Sequence, residues 1–157
     1  MRPSRASDWA VSESSRIKVI AIESPADMRR AYAIRRRVFI EEQNVPEEIE
    51  LDTDDEHAFH ALAILDGVAI GCGRMLEHGD SEVKIGRMAV LREFRGTGVG
   101  AHILRFLVDR ARARGLRRAI LHAQLAAEGF YLKEGFNPVG GVFDEAGIAH
   151  RKMERDL

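Results

Sequence analysis

The glycine-rich stretch Arg95-Gly96-Thr97-Gly98-Val99-Gly100 restricts this chain more than any other, because of what flanks it. Before it runs Ile85-Gly86-Arg87-Met88-Ala89-Val90, a strand candidate. After it Val99, Ile103, Phe106, Leu107 and Arg110 trace a helix that ends at Gly115. Gly96, Gly98 and Gly100 admit positive φ and let a ligand approach the backbone without meeting a Cβ. A helix starting near Gly98 leaves its first N–H groups unpaired and turns the positive end of its dipole to the same point. A phosphate or pyrophosphate is stabilised there, with Arg95 as a cation at the mouth. A nucleoside-triphosphate loop is excluded, since Ala101-His102 stand where Lys and Ser or Thr are needed. A dinucleotide fold is disfavoured, because its glycines follow the first strand of a parallel sheet and these follow an antiparallel meander. A glycine turn that only serves helix–strand packing is the alternative without a ligand.

The meander is read from two apolar runs, Phe59 to Leu65 and Val68 to Leu76, joined at the hairpin signal Asp66-Gly67. Glu82 to Leu91 follows the turn at His78-Gly79-Asp80, so three successive antiparallel strands are expected. Upstream, Ile17 to Ile22 is β-branched strand, and Ser24-Pro25 opens a helix that reaches about Ile40. Downstream come a strand Leu116 to His122, a helix Gln124 to Glu134 and a strand start at Phe136 to Val139. Turns at Gly140-Gly141 and Glu145-Ala146-Gly147 precede a last strand near Ile148 to Met153. With no repeat and no linker, residues 17–157 are expected to be one domain, behind a flexible polar tail of residues 1–16.

A net charge of -1 provides no general attraction to nucleic acid or to an anionic membrane, and no apolar run approaches a membrane span. Cys72 is the only cysteine, so a disulfide framework and a thiolate metal cluster are out and a cytoplasmic location is expected. Between Gly71 and Gly73 it reads as a small buried residue. His57 and His60, three apart at a strand start, point to opposite sides and do not share a metal. Residues Glu41 to Glu56 hold nine acidic side chains and no basic one. They are solvated faces or an acidic rim beside a cationic ligand.

Together these residues resemble the GNAT superfamily of acyl-CoA-dependent N-acyltransferases. Arg95, Gly98 and Gly100 match its central motif, and Gln124 to Phe136, with Phe130-Tyr131 and Gly135-Phe136, resembles its closing helix. Gln124 stands where Asn is commoner. Arg35 to Gln43 and Asp144 to His150 are similar to the small bacterial ElaA-like and YjcF-like branch. The resemblance implies an α/β (α+β) GNAT-like fold: a mixed, mostly antiparallel sheet of about six to seven strands flanked by helices, with a splayed strand pair holding coenzyme A. It implies acetyl-CoA as co-substrate, no metal, and a small-molecule amine acceptor. Implied cofactor contacts are Met88, Ala89, Val90, Arg95, Gly96, Thr97, Gly98, Val99, Gly100, Gln124 and Tyr131.

Chemistry of that kind is direct attack of an amine on the thioester. The ammonium titrates near ~10, so a base is needed. His122, closing its strand beside the cleft, is the candidate, with Glu41, Glu42, Glu82, Glu145 and His150 behind it. The backbone N–H of Met88 or Ala89 is implied as oxyanion donor and Tyr131 as the acid beside the thiolate. Longer-chain acyl transfer, as in the related acyl-homoserine-lactone synthases, and a non-catalytic acyl-CoA-binding module are the competing functions. A homodimer through exposed strands is left open.

Overall fold

The computed structural model describes residues 16–157, so the expected tail, apart from Arg16, lies outside the described residues. Strand β1 (Lys18–Ala21) leads to helix α1 (Pro25–Arg35), where the Ser24 hydroxyl accepts from the Asp27 amide at 3.1 Å. That bond and Pro25 at the first position fix the helix start. The helix expected to reach Ile40 changes character at Arg36 and continues as a π-helix (Arg36–Glu42), with Val38 and Phe39 buried. The acidic stretch then forms a short helix α2 (Glu47–Glu50) and a 3₁₀ turn (Thr53–Glu56).

Strands β2 (Phe59–Leu65) and β3 (Val68–His78) form the expected hairpin, with φ of 50° at Asp66 and 81° at Gly67 as its tight turn requires. Strand β4 (Glu82–Val90) completes the meander. Helix α3 (Val99–Ala113) then crosses over to β5 (Arg118–Gln124), which pairs parallel with β4. A 3₁₀ turn (Leu125–Ala127), α4 (Glu128–Lys133), β6 (Asn137–Glu145) and β7 (Ile148–Asp156) finish the chain. One seven-stranded sheet results, in the order β1-β2-β3-β4-β5-β7-β6, antiparallel except for β4–β5.

Three boundaries differ from the sequence reading, each because strand pairing outweighs the local signal. The helix expected from Gln124 starts at Glu128, since β5 stays paired with β7 as far as Gln124 opposite His150. Gly140-Gly141 is a bulge inside β6 and not a turn; β7 holds that strand on both sides, at Val139 opposite Lys152 and Val142 opposite Arg151. The last strand runs on to Asp156, opposite Arg118.

Two apolar layers cover the sheet. Ile103, Leu104 and Leu107 of α3 pack on Ile70, Val83, Ile85 and Leu121. Ala31 and Ile34 of α1, with Val38 and Phe39, pack on Leu62 and Cys72 from the other side. The glycines flanking Cys72 belong to the first layer: a Cβ on Gly71 would lie 2.8 Å from Ile103 Cδ1 and 3.1 Å from the Ala89 carbonyl oxygen. Cys72 itself is buried, and burial pushes its thiol up to about 12, so it is inert as a nucleophile. Among the described residues no helix is long and apolar enough to cross a membrane.

Candidate functional site

The parallel strands β4 and β5 stay together for one short ladder, Glu82–Ile85 against Arg118–Leu121, and then part. Beyond Ile85 the β5-facing edge of β4 has no strand partner. A bulge sits where the strands separate: Arg87 and Met88 oppose Gly73 alone, and Arg87 adopts φ 51°. A left-handed non-glycine residue costs about 1–3 kcal/mol and persists only where its surroundings hold it. Here the Arg87 guanidinium ion-pairs with Glu50 (3.0 Å) and Asp52 (3.1 Å) and donates to the Ile49 carbonyl (3.1 Å).

Ladder alternation then decides which amides face the gap. Leu91 N–H donates to the Ile70 carbonyl at 2.9 Å, and Cys72 stands opposite Ala89 two residues earlier. The Ala89 backbone is therefore directed to β3, while those of Met88 and Val90 face the gap.

The glycine turn closes the wide end. Gly96 (φ 80°) and Gly98 (φ 92°) are left-handed, with Gly98 as the N-cap of α3. Gly100 is different: it lies inside α3 without positive φ, and a Cβ there would meet Phe130 at an ordinary 3.5 Å. Buried Thr97 donates its hydroxyl to the Phe94 carbonyl, and Val99 points into the core. Arg95 donates to the Val90 carbonyl (3.0 Å) and ion-pairs with Glu42 (2.6 Å), which occupies that candidate base.

A cleft of about 440 Å³ opens on the α1 side of the gap, lined among others by Met88, His122, Gln124, Tyr131, Glu145 and His150. Register explains the assembly. His122 and Gln124 of β5 pair with Lys152 and His150 of β7, and Phe143 and Glu145 of β6 continue the same face. His122 Nδ1 lies 3.0 Å from Glu145 Oε1, and His150 Nε2 lies 3.6 Å from Glu145 Oε2. Burial pushes the Glu145 carboxyl up, but the His122 hydrogen bond and the nearby His122, His150 and Lys84 charges outweigh it and hold the group below the usual range.

Tyr131 is buried between Phe130 and Phe136, and its hydroxyl has no hydrogen-bond partner among the described residues. Burial alone pushes its phenol up to about 12. Gln124 bonds Gln43 through Nε2 at 2.9 Å. Of the weaker base candidates, Glu41 is exposed on the π-helix, and Glu82 ion-pairs with Arg118 (3.6 Å) at the closed end of the parallel ladder.

Three acids of the block, Glu50, Asp52 and Asp55, are tied to arginines. Arg35, only 1% exposed, bonds Glu50 (2.5 Å) and Asp55 (2.8 Å), and Arg74 bonds Asp52 (2.7 Å) and Asp55 (2.9 Å). With Arg87 these acids and arginines form an interlocked cluster that fastens the segment onto the sheet and so builds one wall of the cleft. Sequence reasoning saw the acidic block but not its pairing with arginines, and it missed Gln43 and Arg87. The alternation of β3, which places Arg74 and Cys72 on one face, is the signal that could have exposed Arg74. His60 Nε2 donates to the Asp55 carbonyl (2.9 Å), and among the described residues no group of side chains is arranged to hold a metal.

Three comparisons bear on this site. The family model described as "Acetyltransferase (GNAT) domain" matches residues 18–157. The uncharacterized N-acetyltransferase YjcF of Bacillus subtilis is 34% identical over 142 residues, covering 89% of this chain and 100% of that protein. A solved structure from Lactobacillus plantarum superposes with TM-score 0.84 at 30% identity, covering 90% of this chain and 98% of that one. Escherichia coli ElaA superposes with TM-score 0.79 at 27% identity, covering 88% and 99%.

Proposed function

The chain belongs to the GNAT acetyltransferases, as an acyl-CoA-dependent enzyme of the branch that contains YjcF and ElaA, and from that premise we propose that it transfers acetyl from acetyl-CoA to a primary amine of a small molecule. The observation that carries the reading is the parting of β4 and β5, which leaves the Met88 backbone and the Val90 N–H without a strand partner beside a left-handed glycine turn. An extended pantetheine arm pairs with such an edge as a strand does, and its pyrophosphate suits the start of α3. Gly96, Thr97, Gly98 and Gly100 shape that cradle.

In the reaction the amine nitrogen forms a bond to the thioester carbon, the oxyanion collapses, and the C–S electron pair leaves with sulfur. His122 Nε2 takes the amine proton, a role worth about 10²–10⁴-fold. Met88 N–H donates to the oxyanion. Tyr131 stabilises the departing thiolate by donating a hydrogen bond. Full transfer of its proton is uphill: a phenol at about 12 facing a thiol of ~8.5 costs about 5 kcal/mol.

The acceptor's charge draws no support from Glu50, Asp52 or Asp55, whose carboxylates are already paired with arginines. The test is release of free thiol from acetyl-, hexanoyl- and octanoyl-CoA across a panel of neutral, cationic and carboxylate-bearing amines. Turnover with acetyl-CoA and at least one amine supports the reading. Preference for the longer chains replaces it with longer-chain acyl transfer.

A further inference from the structure

We propose that Glu145 is the positioning residue for the base: its carboxylate receives Nδ1–H of His122 and leaves Nε2 as the nitrogen available to the acceptor. The inference rests on the reading of His122 as base. It depends on a contact between the β6–β7 hairpin and the open end of β5, which no local pattern announces.

Imidazole has two tautomers, and the hydrogen bond made by one nitrogen decides which is present. At 3.0 Å from Glu145 Oε1, Nδ1 is within hydrogen-bond reach and must be the donor, because an ionised carboxylate only accepts. Phe143 meets the His122 ring edge-on, with centroids 5.0 Å apart, and restricts its rotation. The carboxylate is itself held in place. His150 Nδ1 lies 2.7 Å from the Ile148 carbonyl and is therefore protonated, which turns Nε2 of that ring toward Glu145 Oε2 at 3.6 Å. Lys84 of β4 adds a positive charge nearby, and Lys152 lies opposite His122 on β7. Glu145 is thus a fixed, compensated acceptor, and His122 is oriented by it.

The test reads the ring tautomer directly by nitrogen-15 spectroscopy of the histidine side chains, in the protein without ligand and at a pH alkaline enough that the imidazole is neutral. The wild type should show His122 protonated at Nδ1 and bare at Nε2. Glu145→Ala, confirmed as folded by its thermal melt, should lose that bias. Glu145→Gln, which keeps an acceptor oxygen, should retain most of it. An unchanged His122 signature in Glu145→Ala, or a wild-type ring protonated at Nε2 instead, overturns the proposal. The base reading is judged separately, by turnover of His122→Gln on the amine panel. A fully active His122→Gln sinks the base and with it this role for Glu145. An inactive one beside an unchanged Glu145→Ala tautomer sinks the positioning alone.

Discussion

Gln43 and Gln124 stand 81 residues apart in sequence, and their carboxamides meet across the cleft at 2.9 Å. The bond ties the end of the π-helix to the end of β5. It also gives Gln124 a protein partner at the position where the family more often has Asn. Asn is one methylene shorter and does not span the same distance. Gln124→Asn should therefore leave Gln43 unsatisfied in a half-buried site, costing about 1–2 kcal/mol. Urea unfolding of the variant measures this, and a midpoint identical to wild type would show that the pair contributes nothing.

The Arg35 cluster is expected to decide whether the cleft wall forms at all. Breaking a buried ion pair by removing one partner typically costs about 3–5 kcal/mol, because the remaining charge is left in a dry site. Arg35→Met should fall in that range by denaturant unfolding. Arg35→Lys should recover only part of it, since a point charge cannot serve Glu50 and Asp55 together as the guanidinium fork does.

The same cluster gives stability a pH dependence with a definite sign. Burial raises the Asp55 carboxyl, yet the Arg35 and Arg74 bonds outweigh it and leave the group below its ordinary 3.8; the Arg74 bond does the same for Asp52. A depressed folded value contributes stability above the unfolded value and loses it as pH falls through the folded one. Glu50 runs the other way: burial raises it despite Arg35, so its contribution declines as pH climbs past its ordinary 4.5. Thermal melts should show a loss on acidification below 3.8 that shrinks in Asp55→Asn. A variant whose acid limb matches wild type would contradict the assignment.

Much of this architecture is legible in the chain, and the illegible part has a physical pattern. The Ser24-Pro25 helix start, the Asp66-Gly67 hairpin and the glycine turn are local events, encoded by residues adjacent in sequence. What escaped reading depends on partners far along the chain. The start of α4 is set by β7 pairing, the Gly140-Gly141 bulge by register on either side of it, and the pairing of Glu50, Asp52 and Asp55 by arginines on α1, β3 and β4. Among the site residues, Tyr131, His122 and Gln124 were named in advance and line one cleft, whereas Gln43 and Arg87 carry no local signal.

Tyr131 allows stability and chemistry to be separated. Its ring is buried, while its hydroxyl borders the cleft and bonds none of the described residues, so removing it takes nothing from the fold. Tyr131→Phe should melt at or slightly above the wild-type temperature and bind acetyl-CoA with similar affinity by calorimetry. Turnover should fall about 10- to 100-fold, the loss of one hydrogen bond to a charge that develops in the reaction. With the phenol at about 12, no alkaline limb from this group should appear in the wild-type rate profile below that range. A variant with full turnover would make Tyr131 a core aromatic and nothing more.

The two motif glycines are expected to respond differently to one added methyl group. Gly98 caps α3 at φ 92°, where an L side chain is strained, and its amide lies where a phosphate would approach. Gly98→Ala should cost about 1–2 kcal/mol and weaken acetyl-CoA binding as the turn rearranges. Gly100 already has helical geometry, and a Cβ there meets Phe130 at 3.5 Å, an ordinary contact. Gly100→Ala should hold or gain stability, by up to about 1 kcal/mol from the lower entropy of its unfolded chain. Calorimetry then tells whether Gly100 serves the ligand: a stable variant with weakened acetyl-CoA binding places the acyl-CoA against this first turn of α3. A stable variant that binds as wild type leaves close approach of the cofactor to Gly98 and the β4 edge alone.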